Sequence, residues 1–514
     1  MQSALRAVAR SATSLSLVLV STSALAQNKP FPHSGGYAGG FTPTGGATTE
    51  AKSSYDFWKG KYLKSDCGGG NVRVDNSDGA TFSEGMGYGM VLTAYYGDKA
   101  EFDGLWQFTK KNFNQNGLMG WHVTCSGPTS GDGGGASATD GDTDIGFALV
   151  VAVDQWGDSY KQPALDYLAA LKAKDYVTCQ PTGRVMATNG DWDQGCVSEN
   201  TSYFMPAYYR VFAKFTGDSF WSKAADDAIA IWQANANGSS GLVANEVNQS
   251  GGLGPQPKDY VDYNGCRVPW RAALDYLWYG TPSAKQFSDK IATWASGVGI
   301  QNIVDGYNTD GTPSGSGHYT GMNPWVGGFA SGAMTLDQKT VDAFFGYFKS
   351  IDNDNGVYYG ASLRALYLLM LSGNQWEPLS DGAPPASGTG GTTSSTGGTT
   401  GSTGATTGST GGRTGSTGGS PSGASGKPGQ NGGAGSATGG GATAGGSGGA
   451  TAGGPGTSSA DGGSLALEGA KSSGACGCLL AGSSHGTPHS MLAAGVPVLA
   501  FFGRRRRKLV PRFH

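Results

Sequence analysis

Charge is scarce in this chain. Only 14% of its 514 residues are Asp, Glu, Lys or Arg, and the formal net charge is −3. There is no basic excess with which to hold a nucleic acid. Long apolar runs are also missing: the early one, Leu15 to Val20, is too short to span a bilayer, and the late one, Met491 to Phe502, is short and contains Pro497. No series of alternating apolar and polar residues argues for strands. From 381 to 473 large apolar side chains are almost absent among Gly, Ser and Thr. Such a stretch buries too little surface to fold and is expected to be a flexible linker, with hydroxyls that would permit glycosylation.

The ends of the chain carry recognisable signals. Arg6 and Arg10, the apolar core that follows them and Ala24-Leu25-Ala26 read as a signal peptide over 1–26. An exported, secreted or cell-surface protein with seven cysteines is expected to form disulfides. Cys179 with Cys196 is the readiest pair, Cys67 with Cys125 the second, and Cys266 reads as a buried free thiol. Cys476 and Cys478 belong to the region 474–514, where a cysteine motif precedes a short apolar segment and the basic cluster Arg504 to Lys508. That order resembles the C-terminal sorting tails of myxobacterial surface proteins. It implies a processed tail and a transient contact with membrane or sorting machinery.

Residues 27–47 are rich in Gly and Pro and read as a flexible arm. Residues 48–380 hold all the tryptophans and are enough for one large core. Their apolar segments have helical spacing: 50–62, 102–113, 145–156, 162–173, 202–215, 220–236, 270–278, 283–297, 340–350 and 361–371. Gly, Pro and Asp punctuate them at intervals that suit paired helices. An all-α fold follows, either a toroid of helix hairpins or a helical solenoid.

Two stretches carry acidic groups in unusual company. In Ser83-Glu84-Gly85-Met86-Gly87-Tyr88-Gly89-Met90, one carboxyl opens a helix beside three alternating glycines. Ser83 is placed to cap that helix, and Met86, Met90 and Ala94 share a face. The missing side chains allow another chain or a flat ligand close to the backbone. The helix dipole lowers the pKa of Glu84, so acid catalysis near neutrality needs burial or a neighbouring carboxylate to raise it. In Ala138-Thr139-Asp140-Gly141-Asp142-Thr143-Asp144, three aspartates alternate at the mouth of a second helix. A calcium loop of the EF-hand kind requires Gly and Glu where Ile145 and Val151 stand, which excludes it. Dipole-favoured capping remains a fair account of Asp142 and Asp144.

Taken together, 83–90 and 138–142, with Ala148, Ala152 and Trp156 beyond, resemble the two signatures of glycoside hydrolase family 8; Gly146 replaces a customary alanine. Trp121, Tyr203 and Tyr263-Asn264-Gly265-Cys266-Arg267-Val268-Pro269-Trp270 follow in similar order, and the likeness covers roughly 50–375. It implies an (α/α)6 barrel and inverting endo-hydrolysis of β-1,4-linked polysaccharide. Glu84 matches the general acid, Asp140 the aspartate that grips the sugar at the cleavage point, and Tyr263 and Arg267 residues of that subsite. Trp121, Trp192, Tyr203, Trp270 and Tyr319 offer flat faces for pyranose rings, or simply core packing. Inversion places the base about 6.5–9.5 Å from the acid, with water between.

The base is where the chain departs from the pattern. Many members have Asp at the place of Asn264, and an amide takes up no proton. Others place a Glu in the preceding loop, at the position of Gly254. Asp262 and Asp259 are then the nearest carboxylates, with Glu246 further back. The expectation is a monomeric hydrolase of cellulose or mixed-linkage β-glucan that needs no metal or organic cofactor. Chitosan and xylan are the alternative substrates, and a surface protein that binds glycan without cleaving it is the alternative in kind.

Overall fold

The computed structural model describes residues 29–380, apart from 199, 255–258 and 316. The expected signal peptide, linker and tail lie outside the described residues. Twelve α-helices are described: α1 (Ala47–Tyr62), α2 (Ser83–Tyr96), α3 (Lys99–Lys111), α4 (Thr139–Trp156), α5 (Lys161–Lys174), α6 (Pro206–Thr216), α7 (Ser219–Asn235), α8 (Val268–Tyr279), α9 (Pro282–Val298), α10 (Asn323–Ala333), α11 (Gln338–Phe348) and α12 (Tyr358–Leu371). The even-numbered helices touch in sequence, α2 on α4 and so round to α12 on α2, which closes a ring. Outside it, α3, α5, α7, α9 and α11 each pack on the ring helix that precedes them, and α1 packs on α12. This is the (α/α)6 barrel, and the closure of α12 on α2 rules out the solenoid.

Burial explains the two layers. Ring helices have neighbours on every side, and every residue of α2 except Glu84 is buried. A helix covered all round needs no apolar stripe, so the single face drawn through Met86, Met90 and Ala94 understates it. Outer helices such as α9 and α11 keep one buried stripe. Sequence spacing missed α10, because Gly327, Gly328 and Gly332 weaken its helical signal. Those glycines admit neighbours: a Cβ on Gly327 would stand 2.2 Å from Tyr367, and one on Gly328 2.5 Å from the Cys266 carbonyl.

The two acidic stretches also meet at close quarters. A Cβ on Gly87 of α2 would lie 2.6 Å from the Asp144 Cβ. One on Gly141 of α4 would lie 2.4 Å from Ser83 Oγ and 2.7 Å from the Glu84 nitrogen. Gly141→Ala is therefore expected to destabilise by the upper end of the about 1–3 kcal/mol typical of overpacking, read as a lowered urea midpoint. Gly60→Ala, on α1 with open space around it, should be neutral or stabilising. Equal midpoints for the two variants would show that α2 and α4 separate freely. The crowding also corrects the reading of Ser83. It is the first residue of α2, Phe82 precedes the helix with no side-chain cap, and the Ser83 hydroxyl is buried without a partner.

The segment expected to be a loose arm is packed from Lys29 onward. Phe31 N donates to the Tyr95 carbonyl (3.1 Å), Ala38 N to Leu277 (2.7 Å) and Phe41 N to Met334 (2.7 Å), while the Tyr37 hydroxyl reaches the Met370 carbonyl. These acceptors lie at or just beyond the C-terminal ends of ring helices, where carbonyls lack helical partners. The ring N-termini at the other end carry the acidic stretches. Two disulfides join loops: Cys67 to Cys125, and Cys179 to Cys196. Cys266 is free and buried.

Candidate active site

Glu84 is the second residue of α2, Asp140 the second of α4, and Arg267 the residue that leads into α8. Ring closure brings these three helix starts together. Arg267 Nη1 donates to Glu84 Oε2 at 2.8 Å, to Asp140 Oδ2 at 2.7 Å and to the Tyr88 hydroxyl at 2.8 Å. The two carboxyls thus meet on one nitrogen, whose two hydrogens serve three acceptors. Arg267 and Asp140 are almost fully covered, whereas Glu84 keeps 12% of its side chain open. Tyr358 donates to the other Glu84 oxygen at 2.9 Å, and the Gly141 nitrogen donates to Asp140 Oδ1 at 2.8 Å. Glu84 and Asp140 are together at the mouth of the ring.

Burial pushes the Glu84 carboxyl up to about 7, against the pull of Arg267 and with the Asp140 charge adding to the rise. A carboxyl with that pKa holds a proton near neutrality and can still release it. The helix N-terminus, which alone would lower the pKa, is outweighed.

The neighbouring aspartates do not cap α4; Ala138 precedes it without a side-chain cap. Asp144 forms a two-pronged ion pair with Arg271 (3.0 and 2.7 Å). Asp142 accepts from the Met119 nitrogen at 3.0 Å and from the Tyr167 hydroxyl. Both are completely buried, which favours fixed partners over solvated capping.

The aromatic residues divide. Trp121 is half-buried and lies parallel to Phe82 (centroids 5.7 Å apart); Phe82 in turn abuts Tyr358, so a row of rings leads to Glu84. Trp192 is 53% exposed. Tyr203 is 2% exposed, with the Arg267 guanidinium 5.9 Å from its ring centre, and supports the arginine from below rather than offering an open face. Trp270 is fully buried against Tyr367 and Arg271 and belongs to the core. Tyr263 is half-buried and donates to Asp305 at 2.9 Å, and the Tyr319 nitrogen donates to the same carboxylate.

Of the candidate bases, Asp262 is half-buried and accepts from the Asn264 nitrogen at 2.8 Å, which shapes the turn into Arg267. Asp259 is exposed and accepts from the Thr309 hydroxyl. Glu246, set aside in the sequence as distant, is buried, and a Cβ on Gly254 would fall 1.8 Å from its Oε1. Its carboxylate fills the space a side chain at 254 would enter.

Sequence reasoning missed Tyr88 and Tyr358. Tyr88 stands one turn after Glu84, a spacing that puts both on one face. Tyr358 lies 274 positions from Glu84 and carries no local signal.

A ring of paired helices whose mouth holds a proton-bearing carboxyl beside an arginine-bound aspartate defines a glycoside hydrolase. Residues 31–373 match the glycosyl hydrolases family 8 profile, and the chain belongs to that family. Endoglucanase A of Acetivibrio thermocellus is 36% identical over 347 residues, covering 65% of this chain and 71% of its own. Beta-glucanase of Niallia circulans is 33% identical over 397 residues, covering 70% and 94%. Among solved structures, the apo beta-1,3-1,4-glucanase from Paenibacillus sp. X4 superposes with a TM-score of 0.62 at 31% identity, covering 68% of this chain and 99% of its own.

Proposed function

We propose that this protein is an exported, inverting endo-β-1,4-glycanase that cleaves cellulose or mixed-linkage β-glucan. The observation that carries this is the convergence of Glu84 and Asp140 on Arg267, with Glu84 held near neutrality. The similar endoglucanases and beta-glucanases support the substrate class. Among the described residues no helix is long and apolar enough to cross a membrane, and the expected signal peptide supports export.

In this reading Glu84 donates its proton to the bridging oxygen as the glycosidic bond breaks. Arg267 and Tyr358 hold the carboxylate left behind. Asp140, fixed by Arg267 and the Gly141 nitrogen, grips the ring whose C1 gains positive charge. Water attacks C1 from the opposite face and yields the inverted anomer. Trp121 and Trp192 carry neighbouring sugars, and Tyr263 and Asn264 line the cleavage subsite. Reducing ends released from lichenan and carboxymethyl cellulose, with the α-anomer first in the proton spectrum, are the expected result. Binding without cleavage of any β-1,4 glycan, xylan and chitosan included, would leave a glycan-binding surface protein.

Asp262 is the base in this reading, because its turn also presents Arg267. Asp262→Asn should lower kcat by about 10²–10⁴-fold. Azide, a nucleophile that needs no deprotonation, should restore turnover with α-glycosyl azide as product. Asp259→Asn should keep most of its rate. The carboxylate under Gly254 favours a second candidate, Glu246. Near-normal turnover in Asp262→Asn, with azide-restored loss in Glu246→Gln, would transfer the role.

A further inference from the structure

Below the floor of the mouth lies an acidic group that the chemistry above does not use. Asp142 at the start of α4 and Asp175 just after α5 are both completely buried, and each has one oxygen, Oδ2, without a hydrogen-bond partner. Among the described residues no ion pair reaches either, whereas Asp144 has Arg271 and Asp140 has Arg267. Buried carboxylates left without a cation are costly, and protonation is the usual relief.

What these acids hold is specific. Asp142 Oδ1 accepts from the Met119 nitrogen, two residues before Trp121. Asp175 Oδ1 accepts from the Ser137 hydroxyl at 2.9 Å, three residues before Asp140. That hydroxyl accepts from the Asp191 nitrogen at 2.8 Å, and the Ser137 nitrogen donates to Asp191 Oδ1 at 3.0 Å, beside Trp192. Asn114 and Asn116 close the network on Asp191 Oδ2 at 2.8 and 2.7 Å. The Trp121 nitrogen also donates to the Ala136 carbonyl.

We propose that Asp142 and Asp175 form a proton-holding latch that positions the loops bearing Trp121, Asp140 and Trp192, so that the cleft is assembled only while the pair stays protonated. They are positioning residues, since neither touches the reacting atoms. The groups facing them are Tyr167 of α5, Tyr176, Ser137, Thr139, Asp140 and Asp191, all neutral or acidic. Burial, with repulsion from Asp191 and Asp140, raises Asp142 from 3.8 to about 8; burial and the Asp142 charge raise Asp175 well above its ordinary value. Both folded values lie above the unfolded ones. The stabilisation is therefore complete in acid and is lost as pH rises from near 3.8 through about 8.

Amide hydrogen exchange of the full chain at pH 6 and 9.5, corrected for intrinsic rates, tests this without substrate. Peptides covering 119–121 and 189–192 should lose at least tenfold in protection at pH 9.5 relative to α12. The double variant Asp142→Asn/Asp175→Asn, in which neither group can ionise, should lose less than twofold; if it misfolds, each single Asn variant should lose less than wild type. Equal protection of wild type at both pH values, or the same selective loss in the Asn variants, overturns the latch. The proposal rests on the cleft reading, so Glu84→Gln is titrated with cellopentaose as well. Its Kd should weaken at least tenfold between the two pH values, and stay level in Glu84→Gln/Asp142→Asn/Asp175→Asn. Selective loss of protection without cellopentaose binding at either pH supports the latch and overturns the substrate instead.

Discussion

Glu84→Gln will lower hydrolysis of soluble β-glucan by about 10²–10⁴-fold while oligosaccharide binding survives. The amide keeps the shape of the carboxyl and can still face Tyr358 and Arg267, but it has no proton to give the bridging oxygen. The wild-type pH profile carries the same information. Glu84 is raised from 4.5 to about 7, chiefly by burial, so the active, protonated form predominates below that value. On the alkaline side kcat/KM should fall tenfold per pH unit. The neutral form is also the one the fold prefers, so the stability linked to this group is complete below 4.5 and lost as pH rises through about 7. A wild-type rate that stays flat to pH 9, or a Gln variant within a few-fold of wild type, would remove Glu84 as the acid.

Arg267→Met should be the most damaging single change to stability. The arginine is 2% exposed and is the shared partner of two carboxyls. Its removal leaves Glu84 and Asp140 facing one another without a cation. Losing one partner of a buried ion pair costs about 3–5 kcal/mol. The deficit should shrink on acidification, because protonating either carboxyl removes the repulsion. Urea unfolding at pH 5 and pH 8 reads this directly: a large drop in midpoint at pH 8 and a smaller one at pH 5. Equal drops would mean that the arginine acts by packing alone. Arg267→Lys places one compact ammonium where a guanidinium spans two acids, and should recover part of the stability and little of the rate.

The two acidic stretches were legible because they are local. Each is a run of a few residues at a helix start, and the alternating glycines announced that something would come close. The partner proved to be the other stretch, Gly87 against Asp144 and Gly141 against Ser83. The choice between toroid and solenoid was not legible in spacing, since it depends on α12 meeting α2. Tyr358 was hidden for the same reason, as its role exists only once the ring closes. The strap from Lys29 was misread from composition. Gly and Pro predict little regular structure, but they do not prevent backbone nitrogens from finding free carbonyls at the ends of ring helices. The base remained open because the position of the buried Glu246 against Gly254 exists only once the loop between them has folded back.

The two disulfides bear on where this molecule is useful. Cys67–Cys125 and Cys179–Cys196 fasten the long connections around the mouth, and neither crosses the ring of helices. The barrel's cohesion comes from its apolar interior, so thiol chemistry acts on these connections and leaves the packed frame of helices in place. A reduced molecule is expected to keep its helical architecture with looser connections around the mouth, which ties an oxidising surrounding to the rim more than to the fold.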